Sequence, residues 1–343
     1  MTHDLLVLGA GPAGLCAAIA AAQRGWDVVV ADPQEGTIDK ACGEGLMPGA
    51  VEALQALGVT PHTWHPFEGI RYVHAGRVAE GRFPHGVGWG VRRLVLHEAL
   101  QRRADALGVR RVVARAADLV QHADHVEAAG LRARWVIAAD GLRSPVRRHL
   151  GLDRPTRWPR RYGIRQHFFT PPWSPFVEVH WTDEVEAYIT PVSADTVGVA
   201  LLFDDRARGP TPMDRLLERF PDLRARLGAP ASHPRGAGPF AHGAARRVEG
   251  RVLLVGDAAG YLDPLTGEGV RLGVAGAVAA VDAIAHDQPE AYEAAWRALW
   301  RPYALTTGAL LVLTRPRLIR RMLVPALQRL PGLFDRILAQ LAS

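Results

Sequence analysis

The sequence of 343 residues contains no asparagine, a single lysine (Lys40) and only two cysteines, Cys16 and Cys42. Two cysteines cannot staple a disulfide framework and suit a reducing cytosol, so a cytoplasmic protein is expected. No stretch of about 20 apolar residues runs free of charge or proline, so no membrane span is expected. The opening segment lacks a basic n-region, and no secretory leader is expected from it. Histidine is plentiful, with 14 copies, but neither H-E-x-x-H nor paired-cysteine spacing accompanies it, so no metal is expected. The balance of 41 Lys+Arg against 35 Asp+Glu is positive almost wholly through arginine. A nucleic-acid partner would need that charge in a stripe interleaved with stacking aromatics, and no such stripe occurs in the first 300 residues. What remains is an ordinary globular composition, 48% hydrophobic and 22% charged, which excludes a largely disordered chain. The length suits about two domains.

Residues 4–8 form a short apolar run of the kind that fills a buried parallel strand. It leads into Gly9-Ala10-Gly11-Pro12-Ala13-Gly14, an alanine-rich helix to about Arg24, and a second strand that ends at Asp32. In a βαβ unit with G-x-G-x-x-G in its first turn, Gly9 permits the tight turn. Gly11 lets the backbone approach a pyrophosphate, and Gly14 lets helix and strand pack closely. The helix N-terminus offers free N–H groups to the phosphates. Asp32 lies 18 residues past Gly14, where a carboxylate meets ribose hydroxyls. This unit alone leaves NAD and FAD open.

Two later segments decide for FAD. The strand Trp135-Val136-Ile137-Ala138-Ala139 runs into Asp140-Gly141, and a strand over 251–255 runs into Gly256-Asp257. The loop Pro264-Leu265-Thr266-Gly267-Glu268-Gly269 then opens a small-residue helix. With these motifs in this order, residues 1–290 resemble the FAD-dependent oxidoreductases that unite group A (para-hydroxybenzoate hydroxylase-like) monooxygenases, flavin halogenases and geranylgeranyl reductases. The resemblance implies that Asp140 and Gly141 belong to the cofactor site and that Asp257 anchors the extended FAD chain. It also implies that Gly267 and Gly269 let the backbone approach the isoalloxazine edge, with NAD(P)H as a transient reductant. The family's FAD-contacting arginine precedes a helix leucine by three residues, which assigns that role to Arg93 before Leu96, with Arg92 as second choice.

The segment Lys40-Ala41-Cys42-Gly43-Glu44-Gly45-Leu46 is similar to the K-x-C-G-x-G-L stretch of geranylgeranyl and menaquinone-type reductases. It implies a loop beside the flavin ring with Cys42 against it; a tight connector holding a small buried cysteine is the equal alternative. The reductases also carry Y-x-W-x-F-P, where this sequence has Glu186, Tyr188 and Thr190 in place of the aromatics and keeps Pro191. The halogenase signature W-x-W-x-I-P is missing, so halogenation is not expected.

The fold expected is α/β: a Rossmann-like FAD-binding domain with an inserted, mostly antiparallel substrate sheet and C-terminal helices. The FAD-binding domain would be discontinuous, over 1–68, 91–155 and 240–288, with 69–90 and 156–239 for substrate and 289–343 helical. Six strand-like runs mark the substrate sheet, at 69–73, 77–83, 162–169, 176–181, 185–190 and 196–203. Arg165, His167, His180 and Tyr188 lie on them as polar candidates. The helical runs expected near the C-terminus are 291–305, 310–323 and 333–341, broken by Pro316 and Pro325. The arginine-rich stretch 315–323 reads as an amphipathic helix that either packs on its own domain or rests on an anionic membrane or acidic carrier.

The activity expected first is an NAD(P)H-dependent monooxygenase hydroxylating or epoxidising a hydrophobic small molecule. Reduction of carbon–carbon double bonds in an isoprenoid or polyene is the alternative, and a non-catalytic flavoprotein the third. Cys42 and Tyr188 are the candidate catalytic side chains, although the flavin carries most of the chemistry.

Overall fold

The computed structural model describes residues 1–115, 118–204 and 212–329, with 332, 334, 335, 338 and 339 beyond them. Five parallel strands form the centre of one sheet, in the order Val252–Leu254, Leu131–Ala138, His3–Leu8, Val28–Asp32 and Arg110–Val113. The inner strands Val252–Leu254, His3–Leu8 and Val28–Asp32 and the second half of Leu131–Ala138 are valine-, leucine- or alanine-rich runs buried on both faces, as parallel strands require, whereas the edge strand Arg110–Val113 is mostly exposed. Short antiparallel strands extend the sheet at Val248–Glu249 and at Val126–Ala128. Leu8 pairs with Ala138 and Ala138 with Leu254. The turns at Gly9, Ala139 and Val255 therefore leave the same edge of the sheet side by side. That edge, at the carboxyl ends of parallel strands, is where open α/β sheets bind ligands.

Helices Pro12–Ala22 and Gly269–Ala285 pack together against this sheet. Their approach depends on small residues: a β-carbon on Gly273 would sit 3.4 Å from the Ala13 β-carbon. Cys16 is fully buried here, and burial pushes its thiol up to about 12. It is a packing residue.

The second sheet has seven strands in the order Arg235–Ala237, Arg161–Phe169, Thr196–Asp204, Val185–Pro191, Val177–Trp181, Gly69–His74 and Arg77–Arg82. All its pairings are antiparallel except Val177–Trp181 with Gly69–His74. The six runs expected from sequence are all strands; Arg235–Ala237 is an addition. A small three-stranded sheet, Gly45–Leu46, Gly88–Gly90 and His65–Phe67, pins the chain just after Cys42.

The C-terminal helices differ from expectation. Ala291–Leu313 is one helix running through Pro302, because Thr307 and Gly308, in the gap between the expected runs 291–305 and 310–323, are packed inside. A β-carbon on Gly308 would lie 3.1 Å from the Trp158 ring, so the glycine is there for the indole. The second helix starts after Pro316, at Arg317, and Pro325 lies within it. Most of the expected helix 333–341 lies outside the described residues. No helix among the described residues is long and apolar enough to cross a membrane.

Candidate active site

A cavity of about 1860 Å³, counted to its open mouth, runs from the glycine-rich turn to the second sheet. Of the glycine-rich turn, Gly11, Pro12 and Ala13 line the cavity. Nothing lies within 4 Å of where a Gly11 β-carbon would be. Gly9 and Gly14 do a different job. Gly9 has φ +110°, and a Gly14 β-carbon would collide with the Gly9 carbonyl at 1.9 Å.

Asp32 is off the cavity wall. Its carboxylate accepts from the Ala10 N–H at 2.8 Å and from the Gln34 N–H at 2.8 Å. It thereby braces the turn, with lone pairs left over. Sequence reasoning missed the matching brace. His97, fully buried, donates from Nε2 to the Ala10 carbonyl at 2.7 Å and accepts the Ile38 N–H at Nδ1 over 3.3 Å. Burial holds its pKa below the ordinary value, which fits a neutral ring that both donates and accepts.

Arg93 opens the helix Arg93–Ala106 and lies on the cavity wall at 5% exposure. Its Nη1 is buried without a hydrogen-bond partner, and burial lowers its pKa. Arg92 caps the helix from outside the wall. Asp257 lines the cavity, and burial raises its carboxyl. Gly141, Gly256, Pro264, Gly267 and Gly269 also line it. Asp140 instead accepts the Val146 N–H at 3.0 Å at the start of a short helix, and its Oδ1 is buried without a partner. Glu268 turns to Arg271 at 2.5 Å, off the wall. A cationic nitrogen without a partner, an open glycine backbone and a helix N-terminus meet at one end of the cavity, and FAD fits there. Gly11, Arg93 and Asp257 could hold its diphosphate and ribityl chain, and the backbone from Pro264 to Gly269 its ring.

The loop Lys40–Gly45 lines the cavity beside Arg93 and Gly141. Cys42 Sγ accepts the Glu44 N–H at 3.4 Å; burial, with Glu44 beside it, pushes the thiol above its ordinary pKa. Glu44 has φ +60°. Its buried carboxylate accepts the Arg93 N–H at 2.8 Å and His167 Nε2 at 2.6 Å, so it fixes the loop to the helix and the second sheet. Arg165 reaches the cavity and pairs with Asp39. His180 is engaged by Glu178 at 2.9 Å instead.

Strand Val185–Pro191 explains why the aromatics of the reductase motif are replaced. Its alternate residues Val185, Ala187 and Ile189 enter a core cluster, which leaves Glu186, Tyr188 and Thr190 on the other face. Each makes a polar tie. Glu186 pairs with Arg161 at 2.8 Å, and Arg161 reaches Asp263 at 2.9 Å. Tyr188 Oη donates to the Leu265 carbonyl at 3.4 Å, and Thr190 Oγ1 to the Gly43 carbonyl at 2.7 Å. The strand thus grips the loop before Gly267 and the loop after Cys42 at once. Tyr303 supports the first loop from behind, accepting from Asp263 N–H at 3.0 Å and donating to its carbonyl at 2.8 Å. The rest of this end is apolar, with Ile70, Tyr72, Val177, Val179 and Leu202 on the wall.

One group of metal-ligating atoms comes together among the described residues, at His122, His125 and Glu127. It is off the cavity wall, and Arg132 already holds the Glu127 carboxylate at 2.7 Å.

Comparison with known proteins agrees with this geometry. An FAD binding domain family matches residues 97–294, and a second FAD binding domain family matches residues 4–83. The menaquinone reductase of Mycobacterium tuberculosis is 32% identical over 307 residues, spanning 79% of this chain and 74% of the relative. Digeranylgeranylglycerophospholipid reductase 1 of Methanothermobacter thermautotrophicus is 30% identical over 308 residues, spanning 81% and 75%. A flavin-dependent brominase of known structure superposes with a TM-score of 0.84 over 100% of this chain and 94% of its own, at 18% identity. At that identity the likeness is one of fold.

Proposed function

Since the chain belongs to the FAD-binding oxidoreductase family and is an FAD-dependent enzyme, we propose that it reduces carbon–carbon double bonds in a hydrophobic isoprenoid or polyene substrate. The observation that carries this reading is the Lys40–Gly45 loop, which lines the cavity next to Arg93, with the apolar side chains of Ile70, Val177, Val179 and Leu202 lining the same cavity. The menaquinone reductase and the digeranylgeranylglycerophospholipid reductase support it, as both are named reductases of isoprenoid-bearing molecules. In this reading residues 1–68, 91–155 and 240–288 carry the cofactor, and 69–90 and 156–239 enclose the substrate.

Bound FAD, reduced by NAD(P)H, supplies the hydride. The protein must then orient the alkene, exclude water and deliver one proton, so that hydride plus proton saturate the bond. Ile70, Val177, Val179 and Leu202 give the apolar wall that accepts an isoprenoid and keeps water out. Cys42, Tyr72, Tyr188 and Tyr261 line the cavity as neutral groups that hold a proton at neutral pH, and Cys42 and Tyr188 are the candidate donors. The Cys42 thiol is raised by burial, and the Tyr188 hydroxyl is raised well above its ordinary pKa by burial and by Glu186. In this reading Cys42 Sγ–H, or Tyr188 Oη–H on leaving the Leu265 carbonyl, would protonate the carbon next to the one receiving hydride. Glu44 and Thr190 keep the loop that carries Cys42 in position.

A second reading, oxygen-dependent hydroxylation or epoxidation, is favoured by the replacement of the reductase aromatics with Glu186, Tyr188 and Thr190. The test is anaerobic mixing of NAD(P)H-reduced holoenzyme with a polyprenyl acceptor. Rapid reoxidation of the flavin, slowed in Cys42→Ala or Tyr188→Phe while FAD is retained, supports reduction. No anaerobic reoxidation, with oxygen-coupled turnover instead, moves the assignment to the second reading.

A further inference from the structure

Apolar side chains scattered singly over a surface need no explanation. Here they are concentrated. Leu305 (74% exposed), Val312 (60%) and Leu313 (52%) lie on the second half of helix Ala291–Leu313. Ile319 (39%) and Met322 (60%) lie on the first half of helix Arg317–Arg329. The two helices are joined through 314–316, so these five exposed side chains flank one corner of the chain. The sequence from 300 to 329 holds six arginines and no aspartate or glutamate. Arg301 and Arg315 are exposed on the corner, and Arg321 pairs with Asp183 at 3.1 Å.

The inward sides of the same helices are fully occupied. Val324 and Leu327 are buried with Ile70, Val177 and Val179 beneath the second sheet. Leu310 lines the cavity itself. Val312 and Arg315 also line a second cavity with Arg157, the half-buried Trp158, Glu186 and Asp204. Leu310 thus ties the helix that carries most of the exposed corner to the cavity.

We propose that this corner docks on an anionic bilayer surface, inserting Leu305, Val312, Leu313, Ile319 and Met322 among the acyl chains. Arg301 and Arg315 then lie against the lipid phosphates. This rests on the reading of the cavity as a site for a hydrophobic substrate. It adds the route: the substrate passes from the bilayer past Leu310 into the cavity without crossing water. The partner is a lipid surface because the corner is apolar and cationic together, and the matching surface must offer both acyl chains and negative charge.

The test uses full-chain holoenzyme and sedimented vesicles of phosphatidylcholine, with or without phosphatidylglycerol, at low and high salt. Sedimentation velocity without vesicles runs in parallel. Binding to the phosphatidylglycerol vesicles alone, weakened by salt, is expected. It should fall about tenfold or more in Val312→Glu/Met322→Glu and several-fold in Arg315→Glu, given roughly fivefold per arginine near such a surface. These side chains are exposed, so FAD content and circular dichroism should not change. Three results would overturn the proposal: no partition, equal binding to both vesicles, or variants that bind as the parent does. Self-association abolished by the same substitutions, without vesicle binding, would give the corner to a second copy of the chain and likewise overturn it. Since no turnover is read, vesicle failure leaves the reductase reading intact, and failure of anaerobic reoxidation leaves the docking result intact.

Discussion

Replacing Arg93 with methionine should move two quantities in opposite directions. Arg93 is 5% exposed, its Nη1 has no hydrogen-bond partner, and burial already depresses its pKa. In FAD-free protein such a group carries the desolvation penalty of an unsatisfied donor, about 1–3 kcal/mol and more where charge is involved. Arg93→Met removes that penalty and keeps most of the side-chain volume. The FAD-free form should therefore gain about 1–3 kcal/mol, seen as a melting midpoint higher by about 1–5 °C. With FAD present the balance reverses, because a charged hydrogen bond to the cofactor, worth about 1.5–3 kcal/mol, is lost. That loss weakens FAD binding by about 10- to 150-fold. Thermal melts of stripped and loaded protein, with FAD titrated by quenching of its fluorescence, give both numbers. An unchanged FAD affinity would show that the guanidinium does not serve the cofactor. A lower melting midpoint of the stripped protein would show that Arg93 was already satisfied.

The two glycines of the first turn should separate cleanly. Gly14→Ala forces a β-carbon to 1.9 Å from the Gly9 carbonyl and should give little folded protein. Gly11→Ala meets nothing within 4 Å, so it should fold normally yet bind FAD more weakly by fluorescence titration. Burial pushes the Asp263 carboxyl up to about 6 although Arg161 pulls it down, so the native state keeps a proton that the unfolded chain releases near pH 4. That contribution is full below about pH 4 and lost as pH rises through about 6. Denaturant melts of Asp263→Asn should lack this part of the decline, and curves parallel to the parent would contradict it. Tyr303→Phe leaves the Leu262 and Asp263 backbone groups without their shared hydroxyl. It should cost about 1–3 kcal/mol and loosen FAD as well; equal FAD affinity would detach this helix from the cofactor loop.

The parallel sheet and the cofactor end of the cavity were legible because local sequence carries them. Gly11, Gly141 and Gly256 follow buried apolar strands directly, and each strand–turn pair is complete within about ten residues. The six strands of the second sheet were legible from their β-branched and aromatic content. Long-range ties were not. His97 is 87 positions from Ala10, and Arg161 is 102 from Asp263, and no spacing rule links such residues. The polar residues at Glu186, Tyr188 and Thr190 read only as departures from a motif. Their meaning depends on which loops lie opposite the strand. The helix through Pro302 was misjudged at Thr307 and Gly308, where packing against Thr266 and Trp158 overrides weak helix propensity. For Arg93 the signal was its spacing to Leu96; for His97, on the same helix, a polar residue on a buried face was the available clue.

The central claim is that the cavity beside the FAD site saturates an alkene. The direct measurement is the mass of the product formed from a polyprenyl quinone by holoenzyme with NAD(P)H, run once under nitrogen and once under labelled oxygen. The account predicts a product heavier by two hydrogens in both atmospheres, with no label incorporated. A product that carries labelled oxygen and forms only in the oxygenated reaction would contradict it.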